Sequence, residues 1–158
     1  MKSQRFSLLQ GLWVGVVIRV SLFFATPELS QDFYRYLWDG HLLHLGINPY
    51  QYTPNQWLQQ FDAGLIPQVD ALIQGMGELS ASNHSNYPPL HQGVFYLATL
   101  FGNSLMAGIV GLRLIVLLGD VLVCYFGVKI LALMNLPKKR ILWYVLNPLI
   151  VLELTTSL

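Results

Sequence analysis

Three long apolar runs and one long polar stretch set the pattern of this chain. Residues 6–25 (FSLLQGLWVGVVIRVSLFFA), 108–134 and 141–158 are dominated by Leu, Val, Ile and Phe. A helix rises about 1.5 Å per residue and bilayer hydrocarbon is about 30 Å thick, so about 20 apolar residues cross it. The three runs therefore predict membrane-spanning helices. The first is longer than a signal-peptide core of about 7–15 residues and holds Arg19, so it reads as a retained anchor. Within it, Gly11 and Gly15 form a GxxxG pair that lets another helix approach closely. A fourth run, 90–102 (LHQGVFYLATLFG), is thirteen residues long and too short to cross. It is expected to lie in the interface or to re-enter. The pattern is still apolar at Leu158, which suggests a truncated chain with later helices missing.

The polar stretch, 26–105, has an internal order of its own. From Ser30 to about Leu45 only Gly40 interrupts a helical pattern, and Ser30 suits a helix cap. At about 100° per residue Asp32, Arg35, Tyr36 and Asp39 share one face. Phe33, Tyr34, Leu37 and Trp38 cover much of the rest. That pattern predicts an amphipathic helix resting on a membrane surface. GINPYQYTP (46–54) ends it through Gly46, Pro49 and Pro54. Pro67 can start a second surface helix, in which Val69, Leu72, Ile73 and Met76 keep helical spacing. SASNHSN (80–86) reads as a loop, and YPPL (87–90) as an extended entry to the short apolar segment.

Composition agrees with a membrane protein: 54% of residues are hydrophobic, 11% are charged and the mean hydropathy is +0.49. Soluble domains carry about 25% charged residues. A net charge of +1 gives no case for a nucleic-acid partner, and one cysteine, Cys124, supplies neither a disulfide framework nor a thiolate metal site. Lys2 and Arg5 precede the first run, and Lys138, Lys139 and Arg140 follow the second. If 90–102 does not cross, the positive-inside rule puts both clusters in the cytoplasm and residues 26–105 outside. That outer segment holds six acids (Glu28, Asp32, Asp39, Asp62, Asp70, Glu78) against one arginine, Arg35.

Several residue types here could carry chemistry. An acid beside the lipid headgroups can act as a general base on a hydroxyl, and Arg35, His41, His44 or His84 can meet a negative charge. Tyr34, Tyr36, Trp38 and Tyr50 can stack on a sugar. Each has a plainer alternative. Asp32 and Arg35 at i, i+3 also make a surface ion pair worth under ~0.5 kcal/mol, and the aromatics also make an interfacial belt. Within the apolar runs Arg19, Arg113 and Asp120 are costly unless paired or facing a polar cavity. Arg113 and Asp120 share a helix face and can partner each other directly or through water. Arg19 and Arg113, towards the outer ends of their runs, can equally reach a lipid-linked phosphate.

Four motifs lie in order: LSQDFYRYLWDG, GINPYQYTP, YPPL, and NPL (147–149) before an apolar run. Together they resemble the bacterial polytopic mannosyltransferase-like proteins of the C-type membrane glycosyltransferase superfamily, distantly like the catalytic subunit of the first GPI mannosyltransferase. The resemblance implies an all-α, multi-pass protein of the bacterial inner membrane. It implies an inverting transferase that moves a sugar, mannose by analogy, from a polyprenyl-phosphate donor to a glycan or glycolipid acceptor on the non-cytoplasmic face. The position matching the family's external-loop base is Asp32, with Asp39 and Arg35 beside it. Tyr34, Tyr36, Trp38, Asn48, Tyr50 and Tyr87 are the corresponding substrate-binding candidates, with Arg19, Arg113 and Asp120 in the spans. Family members often carry two adjacent acids where this chain has Gln31-Asp32, and one carboxylate is a poor site for Mg²⁺. No cofactor is therefore expected, with Asp39 on the same face as the one acid that could compensate and leave a divalent metal open. Two rival readings are a transporter or flippase component, suited by charges within spans, and a non-catalytic membrane subunit.

Overall fold

The computed structural model describes residues 7–23, 27 and 30–153. The predicted charges Lys2, Arg5 and Glu28 and the stretch 154–158 lie outside the described residues. Among the described residues the chain is helical with no strand. It forms two compact units, one of residues up to 26 with 116–157, the other of residues 27–115.

The 27–115 unit is built around α2 (Asp32–His44), with α3 (Pro54–Gln60), α4 (Val69–Ala81), α5 (Pro89–Thr99) and the first turns of α6 (Leu105–Leu133). Ser30 Oγ accepts the Asp32 amide at 3.1 Å, but from one position before the N-cap, which is Gln31 rather than the expected Ser30. Gly46, at φ +73°, stops the helix where a side chain would be strained. Its pattern predicts a surface helix, but the structure makes it the centre of the core. Phe33, Leu37, Trp38 and Leu42 are buried around it, and Arg35 and Asp39 are buried as well. The cause is contact with α5 and α4. At Gly40 a Cβ would stand 2.5 Å from the Phe95 carbonyl oxygen of α5, so the two backbones touch where glycine permits it. Trp38 sets its ring edge-on to Trp57 of α3, at 5.6 Å between centroids. Thr53 and Gln56 close a capping box over α3, with Pro54 at its start. In α4, Leu72, Met76 and Ala81 are the buried positions. Gly77, at φ +70° and ψ 167°, kinks that helix and turns its last residues toward loop 82–88.

In the other unit, α1 (Leu8–Leu22) starts from a Ser7–Gln10 capping box. The GxxxG pair serves close packing: Cβ atoms at Gly11 and Gly15 would overlap the Leu142 and Val145 side chains of α7 (Leu142–Val145). α6 is 29 residues long, about 43 Å of helix, and is long and apolar enough to cross a membrane. Leu118, Val121, Val123, Phe126 and Ile130 on it are exposed, as suits a lipid-facing helix. α1 is apolar but has fifteen residues. Over 141–153 the pattern reads as one continuous span, whereas the structure has α7 and then α8 (Pro148–Leu152), broken at Leu146–Asn147. Pro148 supplies the reason: it disfavours helical geometry in the residue before it, and Asn147 Oδ1 instead caps the new helix at the Leu149 amide.

Candidate functional site

The face of α2 that carries Asp32, Arg35, Tyr36 and Asp39 is divided by burial into two parts. The inner part is a closed network. Arg35 Nε donates to Asp39 Oδ1 at 2.8 Å, an i, i+4 pair with Arg35 2% and Asp39 0% exposed. Arg35 Nη1 donates to the carbonyls of Ser80 (2.7 Å) and Asn83 (2.9 Å). Asp39 Oδ2 accepts from Ser85 Oγ and, at 2.9 Å, from Gln92 Nε2. Both carboxylate oxygens are therefore occupied, and the pair ties α2 to the end of α4, to loop 82–88 and to α5. A buried ion pair is tolerable only when such bonds replace lost hydration. Asp39 has the environment of a scaffold group and no oxygen facing water.

The outer part is open. Asp32 is exposed and lines a cavity of ≈ 740 Å³ with Glu78, His84, Tyr87 and Arg35. Arg35 Nη2 is buried and has no hydrogen-bond partner in the protein. Tyr36 and Tyr87 set their rings edge to face at 5.0 Å. Burial raises both phenol pKa values, and the Asp32 carboxylate raises them further. Both therefore stay protonated at neutral pH and sit within the field of Asp32. The cavity thus offers two exposed carboxylates, Asp32 and Glu78, a spare guanidinium N–H and neutral phenols. Its formal charge is negative, because Asp39 offsets Arg35 while Asp32 and Glu78 remain.

The other sequence candidates fall in several places. Tyr34 lays its ring where a Cβ of Gly75 would be, against α4, and Trp38 is a core residue. Asn48 and Tyr50 line a second concavity of ≈ 590 Å³ between the Gly46–Tyr50 turn and α5. In the other unit, Arg19 Nε meets Asp120 Oδ2 at 2.9 Å, and Arg19 Nη1 donates to the carbonyls of Gly15 and Val145. This pair joins α1, α6 and α7 as a buried staple. Arg113 is buried at 1% exposure in the 27–115 unit. Among the described residues, no three His, Cys, Asp or Glu side chains are grouped to hold a metal ion.

Sequence reasoning passed over Ser85, Gln92 and Glu78. Ser85 lay in a stretch read only as loop. Gln92 had one signal, an amide within an otherwise apolar run, and a lone polar group in such a run has to find a partner.

His41 gives a pH dependence that can be measured. Burial, then repulsion from His44, lowers its pKa from 6.5 to about 4. Between those values the unfolded chain holds a proton that the folded chain does not, so stability rises with pH and is lost as pH falls from about 6.5 towards 4. The loss is expected to reach up to about 3 kcal/mol. Chemical denaturation at stepped pH should show it, and His41→Gln should flatten that part of the curve. An equal slope in the variant would assign the effect to other groups.

The family described as Alpha-(1->6)-mannopyranosyltransferase, N-terminal domain, matches residues 3–158. Alpha-(1->6)-mannopyranosyltransferase A of Mycobacterium tuberculosis is 27% identical over 141 residues, which is 88% of this chain and 25% of that protein. The chain thus spans about a quarter of the length of that relative. No solved structure matches.

Proposed function

We propose, from the premise that this chain belongs to the Alpha-(1->6)-mannopyranosyltransferase N-terminal domain family, that it forms the base-bearing part of an inverting membrane mannosyltransferase. The observation that carries the reading is the exposed Asp32 carboxylate at a cavity into which the otherwise buried Arg35 presents a surface. The donor is a polyprenyl-phosphate-linked mannose and the acceptor a glycan or glycolipid hydroxyl. Residues 26–105 work on the non-cytoplasmic side of the bacterial inner membrane.

The chemistry follows from the groups present. An alcohol is a weak nucleophile at neutral pH. Asp32 takes its proton as the alcohol oxygen bonds to the anomeric carbon, from the side opposite the phosphate. The bond from that carbon to the phosphate oxygen breaks, and its electron pair leaves on the phosphate. One hydroxyl accepts from Arg35 Nη2 and donates to Asp32, which aligns its lone pair for attack. General base help of this kind is worth about 10²–10⁴ in rate. Phosphate is a competent leaving group without an added acid. The cavity's negative charge favours the neutral acceptor over the phosphate, so the phosphate is assigned to cations outside it. No metal ion has a part in this scheme.

The test is transfer by the complete protein in detergent, given radiolabelled polyprenyl-phosphate mannose or nucleotide mannose with an oligomannoside. Transfer from the lipid-linked donor with inverted anomeric configuration is expected. Transfer from the nucleotide sugar alone, or retained configuration, would overturn the donor or the single-displacement step respectively.

A further inference from the structure

The second concavity carries an unmet chemical demand. It lies between the Gly46–Tyr50 turn and α5. Ile47 and Pro89 make its walls apolar, and Tyr50 and Tyr96 are each 38% exposed. Gln92 lines it from α5 and is 5% exposed. Its Nε2 donates to Asp39 Oδ2 at 2.9 Å and to Ser85 Oγ at 2.8 Å. A carboxylate only accepts, so the amide nitrogen must face Asp39 and the amide oxygen must face away. That oxygen, Oε1, is buried without a hydrogen-bond partner in the protein. A carbonyl left so is costly, and a ligand that donates to it recovers the loss.

The occupant must therefore combine C–H surface with a hydrogen-bond donor. An isoprenoid tail has the first and lacks the second. A phosphate brings negative charge to a groove with no Lys or Arg on its walls. A hexose has both, a C–H face for the tyrosines and hydroxyls for the amide. The groove also adjoins the Asp32 cavity. Tyr50 of the groove donates its hydroxyl to the carbonyl of Tyr87, which lines the cavity.

We infer that this groove is a second sugar subsite, holding the next hexose of the acceptor glycan while the reacting one occupies the Asp32 cavity. This rests on the reading of that cavity as the acceptor's site. The protein then favours an acceptor of two or more units over a single sugar, and Gln92 is its specificity-determining residue.

Gly93 provides the test. It lines the groove, and a Cβ built there meets no atom within 4 Å, so Gly93→Trp should fill the groove without disturbing α5. Two acceptors, methyl α-mannoside and α-1,6-mannobiose, are compared with the complete protein in detergent. The wild type should show a KM about tenfold lower for the disaccharide, the worth of a hydrogen bond with a ring contact. Gly93→Trp should raise the disaccharide KM to that of the monosaccharide, with melting unchanged; Gly93→Leu should act likewise if the larger ring harms folding. Saturation-transfer NMR should show the second mannose ring contacting the wild type and not Gly93→Trp, whether or not transfer occurs. That readout separates the groove from the base assignment, which Asp32→Asn tests by itself. Equal KM values for the two acceptors in the wild type would overturn the inference. So would a rise in the polyprenyl donor's KM alone in Gly93→Trp, which would give the groove to the lipid tail.

Discussion

Asp39→Ala is expected to destabilise the 27–115 unit by about 3–5 kcal/mol, the usual cost of removing one partner of a buried ion pair. The size follows from what is left behind. Arg35, 2% exposed, would keep its charge without a counter-ion. Ser85 Oγ and Gln92 Nε2 would lose their shared acceptor. Because the same carboxylate joins α2 to loop 82–88 and α5, backbone amides over 80–86 should exchange faster with solvent. Denaturant melts and hydrogen exchange of the complete protein in detergent read both effects. Replacing the pair together, Arg35→Leu with Asp39→Leu, should recover part of the stability, since no lone charge is then buried. A loss under about 1 kcal/mol in Asp39→Ala would show that the pair is hydrated and that the cavity wall does not depend on it.

Asp32→Asn is expected to lower kcat by about 10²–10⁴ and to leave the fold intact. The amide is the same size as the carboxylate and cannot take the proton. Asp32 is exposed at the first turn of α2, where a negative charge adds about 0.3–1 kcal/mol through the helix dipole, so only a small change in melting follows. The two aspartates of one helix face thus give opposite signatures. One substitution removes activity and leaves stability, and the other removes stability first.

Local pattern made much of the scaffold legible. Ser30, Gly46 and Pro49 bracket α2, Pro67 precedes α4, and the double proline opens α5. The pattern suggests Asp32 as the partner of Arg35, whereas the structure pairs Arg35 with Asp39. Asp32 at i−3 and Asp39 at i+4 both have pairing spacing. The outcome is decided by groups some fifty residues away, the carbonyls of Ser80 and Asn83 and the side chains of Ser85 and Gln92, which enclose Asp39 and leave Asp32 in the open. The same distance hid the role of α2. Its charged side looked made for water because Ser80, Asn83 and Ser85, which cover it, belong to a segment read as loop, and Gln92 to the short apolar run. Likewise Asp120 meets Arg19, 101 residues away, a partner that helical spacing along α6 has no means to reveal.

The central claim is that Asp32 takes the acceptor's proton. Its most direct test is the single-turnover rate of the complete protein loaded with polyprenyl-phosphate mannose and mixed with saturating α-1,6-mannobiose, for wild type and Asp32→Asn. The account predicts an acceptor Kd that changes little and a transfer step slower by about 10²–10⁴. A transfer step as fast in Asp32→Asn as in the wild type would contradict it.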